Sequence, residues 1–341
     1  MRKAFVIGGS GQIGSAICEL LAKEGFHVSA AHRGSKPGPS VDVEWIVLDR
    51  EDSVALRAAA RGSDVVIDTV PYTESHADQL VSLGSDVGSL IAISTGSVYQ
   101  GRNGSYFDIA TSDADFPDFP VPITEDCATI ENDRPTYGPM KAAMERRLST
   151  RSTVPVSILR PGAVHGPRSP KLREFYFMQR VFDGRPRVVL SRGGESRFST
   201  SSTANVAALA LACVQHPGAG VLNAVDEEGL STREIARTVF EVMGHEPEIL
   251  SFPGAAVGNL GATPWDCARP FVCSMERARN AVGYVPAVSY REAIERDVEW
   301  VTLALKTQTW QELFPSVASR YGTPGWFPYA EEDAWATGST A

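Results

Sequence analysis

The chain has 341 residues, 43% of them hydrophobic, enough for a large core in one big domain or two intimate ones. Its net charge of −9 gives no global field that would draw nucleic acid. No apolar run reaches membrane length, and the basic Met1-Arg2-Lys3 precedes too short an apolar run for a signal peptide. The five cysteines (Cys18, Cys127, Cys213, Cys267 and Cys273) make no C-x-x-C pair, so neither a disulfide framework nor a metal site is expected, and a reduced cytoplasmic setting is.

The first element is a strand, a tight turn and a helix in succession. Phe5-Val6-Ile7 is apolar, Gly8-Gly9-Ser10-Gly11-Gln12-Ile13-Gly14 is glycine-rich, and Ser15 to Lys23 is amphipathic. Gly9-x-Gly11-x-x-Gly14 fits the dinucleotide-binding fingerprint. One glycine allows the turn, one lets backbone approach a pyrophosphate, and Gly14 lets helix pack against strand. The helix N-terminus then offers free amides and a positive dipole end to phosphate. Gly8, Ser10, Gly11, Gln12, Ile13 and Gly14 are the candidate pyrophosphate contacts.

Phe26 to Ala31 reads as a second strand, ending at His32-Arg33-Gly34-Ser35. An acid at this place binds the 2′-hydroxyl of NAD and repels the 2′-phosphate of NADP. No acid stands here, and Arg33 offers phosphate a planar, bidentate partner. His32 and Arg33 therefore point to NADP(H) rather than NAD(H). Val43 to Leu48 is a third strand with Asp49-Arg50 at its end, followed by a helix from Asp52 to Arg61. Asp64 to Thr69 is a fourth strand, from which Thr69-Val70-Pro71 leaves on the cofactor side; Thr69, Pro71 and Arg50 join the candidate cofactor contacts. Ser75 to Asp86 is a weaker helix and Ser89 to Ser94 a fifth, buried strand. Strands alternating with helices at this spacing predict an α/β fold with a doubly wound parallel Rossmann sheet.

Two stretches carry chemistry. Ser94-Thr95-Gly96-Ser97-Val98-Tyr99 lies at the C-terminal edge of the fifth strand, where open α/β sheets bind ligands. Tyr137-Gly138-Pro139-Met140-Lys141 opens a helix, with Pro139 tolerated only in its first turn. Tyr137 and Lys141 are four apart and share a face. A phenol titrates near pH ~10 and needs a shift of about 3 units, roughly 4 kcal/mol, to exchange protons near neutrality. An ammonium about 4 Å away supplies that much at an effective dielectric of ~20. The expectation is that Lys141 tunes Tyr137 downward, while Thr95 donates a hydrogen bond to a substrate oxygen.

Between Gly101 and Arg134 runs a long acidic stretch with Asp108, Asp113, Asp115 and Asp118, expected as a lid over the site and better suited to a neutral or cationic substrate. Further on, Leu172 to Asp183, Thr203 to His216, Thr232 to Gly244 and Ser289 to Leu305 read as helices, with a short strand at Val221-Leu222-Asn223. The aromatics from Trp310 onward are expected to cover the body of the protein or a partner subunit. The expected division is a cofactor domain over 1–165, to which some later segments return, a smaller substrate lobe over 166–330, and a mobile tail over 331–341.

In these motifs the chain resembles an extended short-chain dehydrogenase/reductase of the NAD-dependent epimerase/dehydratase family. The matching residues are Gly8 to Gly14, Asp49, Ser94 to Tyr99, Tyr137 with Lys141, Arg160-Pro161-Gly162-Ala163-Val164-His165-Gly166-Pro167, and Leu222-Asn223-Ala224 with the helix after it. The resemblance runs from about residue 3 to about 300. It implies a catalytic triad of Thr95, Tyr137 and Lys141, with Lys141 also on the nicotinamide ribose, Asp49 at adenine, and Pro161 and Val164 along the nicotinamide. It also implies a homodimer built on the helix bearing Tyr137 and its neighbour. Gly96-Ser97 after Thr95, in place of an Asp-Glu pair, argues against 4,6-dehydratase chemistry. His165 replaces the usual tyrosine and either touches substrate or fills the same space. Arg197 stands where nucleotide-sugar enzymes hold a diphosphate. Ser97, His165, Arg168 and Arg197 are the candidate substrate contacts. The leading function is an NADP(H)-dependent oxidoreductase acting on a carbonyl or secondary alcohol of a small molecule. The alternatives are a sugar-nucleotide epimerase using transient oxidation, and a non-catalytic NADP(H)-binding regulator or RNA-associated protein.

Overall fold

A computed structural model describes residues 1–34, 42–321 and 325–338. Ser35 and residues 339–341 of the expected tail lie outside the described residues. The chain divides into two compact units, and neither is one uninterrupted stretch. The first comprises Met1–Gly162, Ser201–Glu227 and Cys273–Ala287; the second comprises Ala163–Thr200, Glu228–Val272 and Val288–Ala341.

The first unit is a Rossmann-type α/β layer. Its strands are β1 (Lys3–Ile7), β2 (His27–His32), β3 (Val43–Val47), β4 (Val65–Asp68), β5 (Leu90–Ile93) and β6 (Val156–Pro161), with a seventh strand at Gly220–Ala224. They form one parallel sheet in the order Gly220–Ala224, β6, β5, β4, β1, β2, β3. The short strand at Val221 was expected among the substrate-lobe elements; it instead pairs with β6 in this sheet. β4 and β5 are buried at every position, which is why they read as continuous apolar runs rather than alternating ones. The register sets Ile7 opposite both Ala31 and Asp68, and Asp68 opposite Ala92. The loops after β1, β2, β4 and β5 therefore leave from one edge.

The helices α1 (Gln12–Lys23), α2 (Ser53–Ala60), α3 (Glu74–Leu83) and α4 (Tyr137–Arg151) connect these strands. Asp52 caps α2 by accepting from the amides of Val54 at 3.1 Å and Ala55 at 3.0 Å. Pro139 sits in the first turn of α4, as its missing N–H requires. Lys141, Met144, Glu145 and Leu148 form the buried face of α4. Met144 and Leu148 join Phe5, Ile7, Val66, Leu80 and Leu90 in the core of the unit.

The stretch from 101 to 134 is fastened to the body. Gln100 N–H donates to Ala128 O at 2.9 Å, Arg102 pairs with Asp118 at 3.1 Å, and the Asn223 amide donates to Glu125 at 2.7 Å. Tyr106, Phe119, Ile123 and Ile130 are buried, and Val98, Tyr106, Ile130 and Ala142 form a small core of their own. These apolar anchors, spaced between the acids, are what an argument from acidity and proline alone passes over.

The second unit gathers the helices Phe175–Phe182, Thr232–Val242 and Tyr290–Ala304 around Phe175, Phe177, Val239, Phe240, Ile294 and Phe314. Ser231 with Glu234, and Ser289 with Glu292, close capping boxes on the latter two helices. The late aromatics Phe314 and Trp326 are buried in this core. The tail expected to be mobile is helical over Tyr329–Ala336. Its Glu332 is buried and accepts from Arg180 at 2.6 Å, beneath the Tyr176 ring, so a buried charge that needs a partner fixes the segment.

Candidate active site

The glycine turn after β1 separates by its geometry into glycines the protein needs and one it does not. Gly8 has φ +78, and a Cβ there would lie 2.5 Å from Thr69 Oγ1. A Cβ on Gly9 would lie 2.6 Å from the Ala30 Cβ. One on Gly14 would lie 2.3 Å from Gly8 O, so α1 could not approach the turn. Gly11 has an ordinary φ of −73, and a Cβ there would meet only Gly8 O, at 3.4 Å. Nothing within the chain demands glycine at 11, whereas a pyrophosphate laid against the backbone would. The end of α1 fits that ligand. Its N-cap residue Gly11 has no side chain to cap the first turn, and no acid stands there. Gln12 Oε1 is buried without a hydrogen-bond partner among the described residues. These residues fit a dinucleotide.

Thr69 braces the turn: its hydroxyl lies 3.0 Å from Ile7 O and 3.2 Å from Gly8 O. Pro71 is buried just beyond it. At the end of β2, Arg33 is exposed. His32 is 8% exposed, and its Nδ1 accepts from the Gly34 amide at 3.1 Å while its ring meets Trp45 edge-on at 5.7 Å. Of this predicted pair, only Arg33 stands open to a 2′-phosphate. Asp49 is exposed after β3, one carboxylate oxygen accepting from the Glu51 amide at 3.1 Å.

Arg50 corrects the sequence reading. Its guanidinium is spent on Asp68 at 2.8 Å, Val70 O at 2.9 Å and Gln79 at 3.0 Å. Asp68 ends the otherwise apolar β4 and is wholly buried, so it requires a cation, and Arg50 supplies it. Arg50 is therefore not available to a cofactor phosphate.

Thr95, Tyr137 and Lys141 come together at the end of β5. Thr95 Oγ1 accepts from the Ser97 amide at 3.2 Å, which leaves its own proton to donate elsewhere. The Tyr137 hydroxyl hydrogen-bonds with the Thr95 side chain, while the residue as a whole is 43% exposed. Lys141, four residues along α4, is 3% exposed and donates to Ile93 O at 2.8 Å. Burial pulls the Lys141 ammonium down to about 8, against the opposing pull of Asp68 and Glu145. The Tyr137 phenol moves the other way. Desolvation pushes it above the ordinary tyrosine value, the Thr95 contact opposes this, and Tyr72 and Asp108 add to it. The shift of Tyr137 is thus upward where the sequence led to a downward one, with burial its largest cause.

Tyr72 and Glu145 escaped the sequence reading, and Asp108 entered it only as part of the acidic stretch. Asp108 Oδ2 accepts from the Gly138 amide at 2.8 Å, so a carboxylate from the acidic stretch closes the N-terminus of α4 beside Tyr137. The Tyr72 ring lies 6.0 Å from that of Tyr137. Behind Lys141, Glu145 holds Arg160 through contacts of 3.0 and 2.5 Å, and the Arg160 guanidinium stacks 4.7 Å from Tyr99. A lone acid at the end of an apolar strand was the one readable hint of the buried charges here.

Pro161 is buried at the end of β6 in this unit, and Ser97 is half-buried after Thr95. Val164, His165, Arg168 and Arg197 belong to the second unit. There His165 is 1% exposed, with Nδ1 2.8 Å from Asp297 Oδ2 and its ring 5.3 Å from Tyr290. Arg168 is half-buried with φ +68. Arg197 donates to Gly229 O and lies 3.4 Å from Glu234. Among the described residues, no helix is long and apolar enough to cross a membrane, and no cluster of His, Cys, Asp and Glu could hold a metal ion.

Comparison with known proteins bears on the family and the fold. An uncharacterized protein, y4nL, of Sinorhizobium fredii is 28% identical over 192 residues, which is 48% of this chain and 53% of that protein. The chain thus spans about half the length of this relative. The 2-alkyl-3-oxoalkanoate reductase of Stenotrophomonas maltophilia is 26% identical over 86% of this chain and 98% of its own length. The UDP-glucuronic acid 4-epimerase of Bacillus cereus, solved with UDP-glucuronic acid and NAD, shares the fold with a TM-score of 0.64. It is 19% identical, over 89% of this chain and 99% of that one. The family model described as NAD dependent epimerase/dehydratase matches residues 4–224, from the first residues of β1 through the seventh strand, and the chain belongs to that family.

Proposed function

We propose that the protein is an NADP(H)-dependent oxidoreductase that reduces a carbonyl group, or oxidises the corresponding secondary alcohol, on a small molecule. The observation that carries this reading is the meeting of Thr95, Tyr137 and Lys141 at the sheet edge that also bears the Gly11 cradle. When bound, the dinucleotide supplies or takes the hydride. Gly11 and the first amides of α1 hold its pyrophosphate, and Arg33 receives the 2′-phosphate. Thr95, its oxygen already satisfied by the Ser97 amide, donates to the substrate oxygen. Tyr137 delivers the proton to that oxygen. Its phenol is protonated near neutrality, so it can serve as the acid of the reducing direction. The Stenotrophomonas maltophilia reductase supports a 3-oxo acid or a related ketone as substrate class.

The test is cofactor accounting. Wild-type protein should oxidise one NADPH for each ketone reduced, across a panel of 3-oxo acids and their esters. Arg33→Ala should weaken NADPH binding about ten-fold or more and leave NADH binding unchanged, as loss of one charge-assisted phosphate contact implies. If UDP-sugars are interconverted with no net change in cofactor, the epimerase reading replaces this one. If neither dinucleotide binds, the enzymatic reading fails.

A further inference from the structure

Tyr72 stands outside the Thr95, Tyr137 and Lys141 set, yet the structure builds it into the same place. It follows Pro71 in the loop that leaves β4. Its backbone N–H donates to His76 Nδ1 at 2.9 Å, and His76 Nε2 lies 2.9 Å from Glu51 Oε1. That latch holds the backbone from which the ring projects. The ring centroid is 4.8 Å from Lys141 Nζ, with the ammonium over its face, and 6.0 Å from the Tyr137 ring at 58°. Tyr72 is 44% exposed, so it both covers the ammonium and meets solvent.

We propose that Tyr72 is a positioning residue of this reaction centre: its ring roofs the Lys141 ammonium, keeps water from it, and walls the side of Tyr137 along which a carbonyl substrate enters. The proposal rests on the oxidoreductase reading for its catalytic meaning, but the roof itself is a property of the protein alone. The other groups facing Lys141 are the Ile93 carbonyl from β5, Asp68 from β4, Glu145 one turn along α4, and Arg50 from the loop after β3. All four come from the interior side and remain when Tyr72 is changed. Removing the ring admits water to the ammonium and takes away the ring's contacts with Lys141 and Tyr137. The attraction between ring and ammonium is about 0.5–1 kcal/mol at a partly exposed site. Desolvation heads the causes that hold Lys141 at about 8, so hydration outweighs the lost attraction and the amine becomes easier to protonate.

The experiment follows the Cε resonance of Lys141 against pH in lysine-labelled protein, with the signal assigned through Lys141→Arg. Wild type is compared with Tyr72→Phe and Tyr72→Ala. Tyr72 lies at the surface, so truncation leaves the core intact, and circular dichroism checks the fold. The expected result is an upward shift of the Lys141 midpoint by about one unit in Tyr72→Ala, none in Tyr72→Phe, and a matching displacement of the pH–rate profile for ketone reduction. An unmoved midpoint in Tyr72→Ala, or equal movement in both variants, overturns the proposal. The titration needs no substrate. It decides the proposal even where wild type reduces no ketone, an outcome that would overturn the functional reading instead.

Discussion

The Lys141 ammonium donates to the Ile93 carbonyl at 2.8 Å, from a position only 3% exposed at the end of β5. A cation in such a place is held at a cost. Lys141 titrates at about 8 in the folded protein against an ordinary 10.5, so between those values the unfolded chain binds the extra proton and stability rises with pH. Replacing Lys141 by Met removes that rise. Comparing urea unfolding of the two proteins at pH 7 and pH 10.5, wild type should gain roughly 3 kcal/mol relative to Lys141→Met. A constant difference across that range would show that the ammonium is not strained by burial.

Glu174 makes the opposite case in the second unit. It is 1% exposed, accepts from Tyr290 OH at 3.3 Å, and has a second oxygen buried without a hydrogen-bond partner among the described residues. Burial raises it to about 7 from 4.5; Asp297 adds to the rise, and His165 and Arg173 oppose it. The folded state therefore holds the proton more tightly. That advantage is complete below pH 4.5 and is lost as pH climbs through 7. Glu174→Gln should gain about 3 kcal/mol on wild type between pH 4.5 and pH 8. Denaturant midpoints measured at both pH values check this.

The glycine turn predicts a split between two identical substitutions. Gly14→Ala forces a Cβ to within 2.3 Å of a backbone oxygen and should destabilise the protein by about 1–3 kcal/mol, the usual range for overpacking. Gly11→Ala meets ordinary contact and should leave the melting temperature close to wild type while weakening NADPH binding at least ten-fold. If Gly11→Ala binds NADPH as wild type does, the pyrophosphate does not lie there.

Much of the architecture was legible because it rests on local patterns. Apolar runs bounded by turns marked β1, β4 and β5. The four-residue spacing placed Tyr137 and Lys141 on one helix face, and the glycines declared the turn. What stayed hidden depends on partners far along the chain. Nothing near Arg50 says that Asp68, eighteen residues on, will claim it. Asp108 reaches Gly138 across thirty residues, and His165 meets Asp297 across 132. The same blindness hid the anchoring of the 101–134 stretch, since its acids are conspicuous and its buried Tyr106, Ile123 and Ile130 are not. Tyr72 carried no motif at all; only the fold brings it over Lys141.

The most direct test of the central claim follows a labelled hydride with Tyr137 intact and with Tyr137→Phe. NADPH deuterated at both C4 positions is supplied with a 3-oxo substrate, and the product is read by mass spectrometry and NMR. The account predicts one deuterium on the new carbinol carbon in wild type. It also predicts a fall in rate of about 10²- to 10⁴-fold in Tyr137→Phe, with NADPH affinity unchanged. Full activity in Tyr137→Phe, or a product with no deuterium at that carbon, would contradict it.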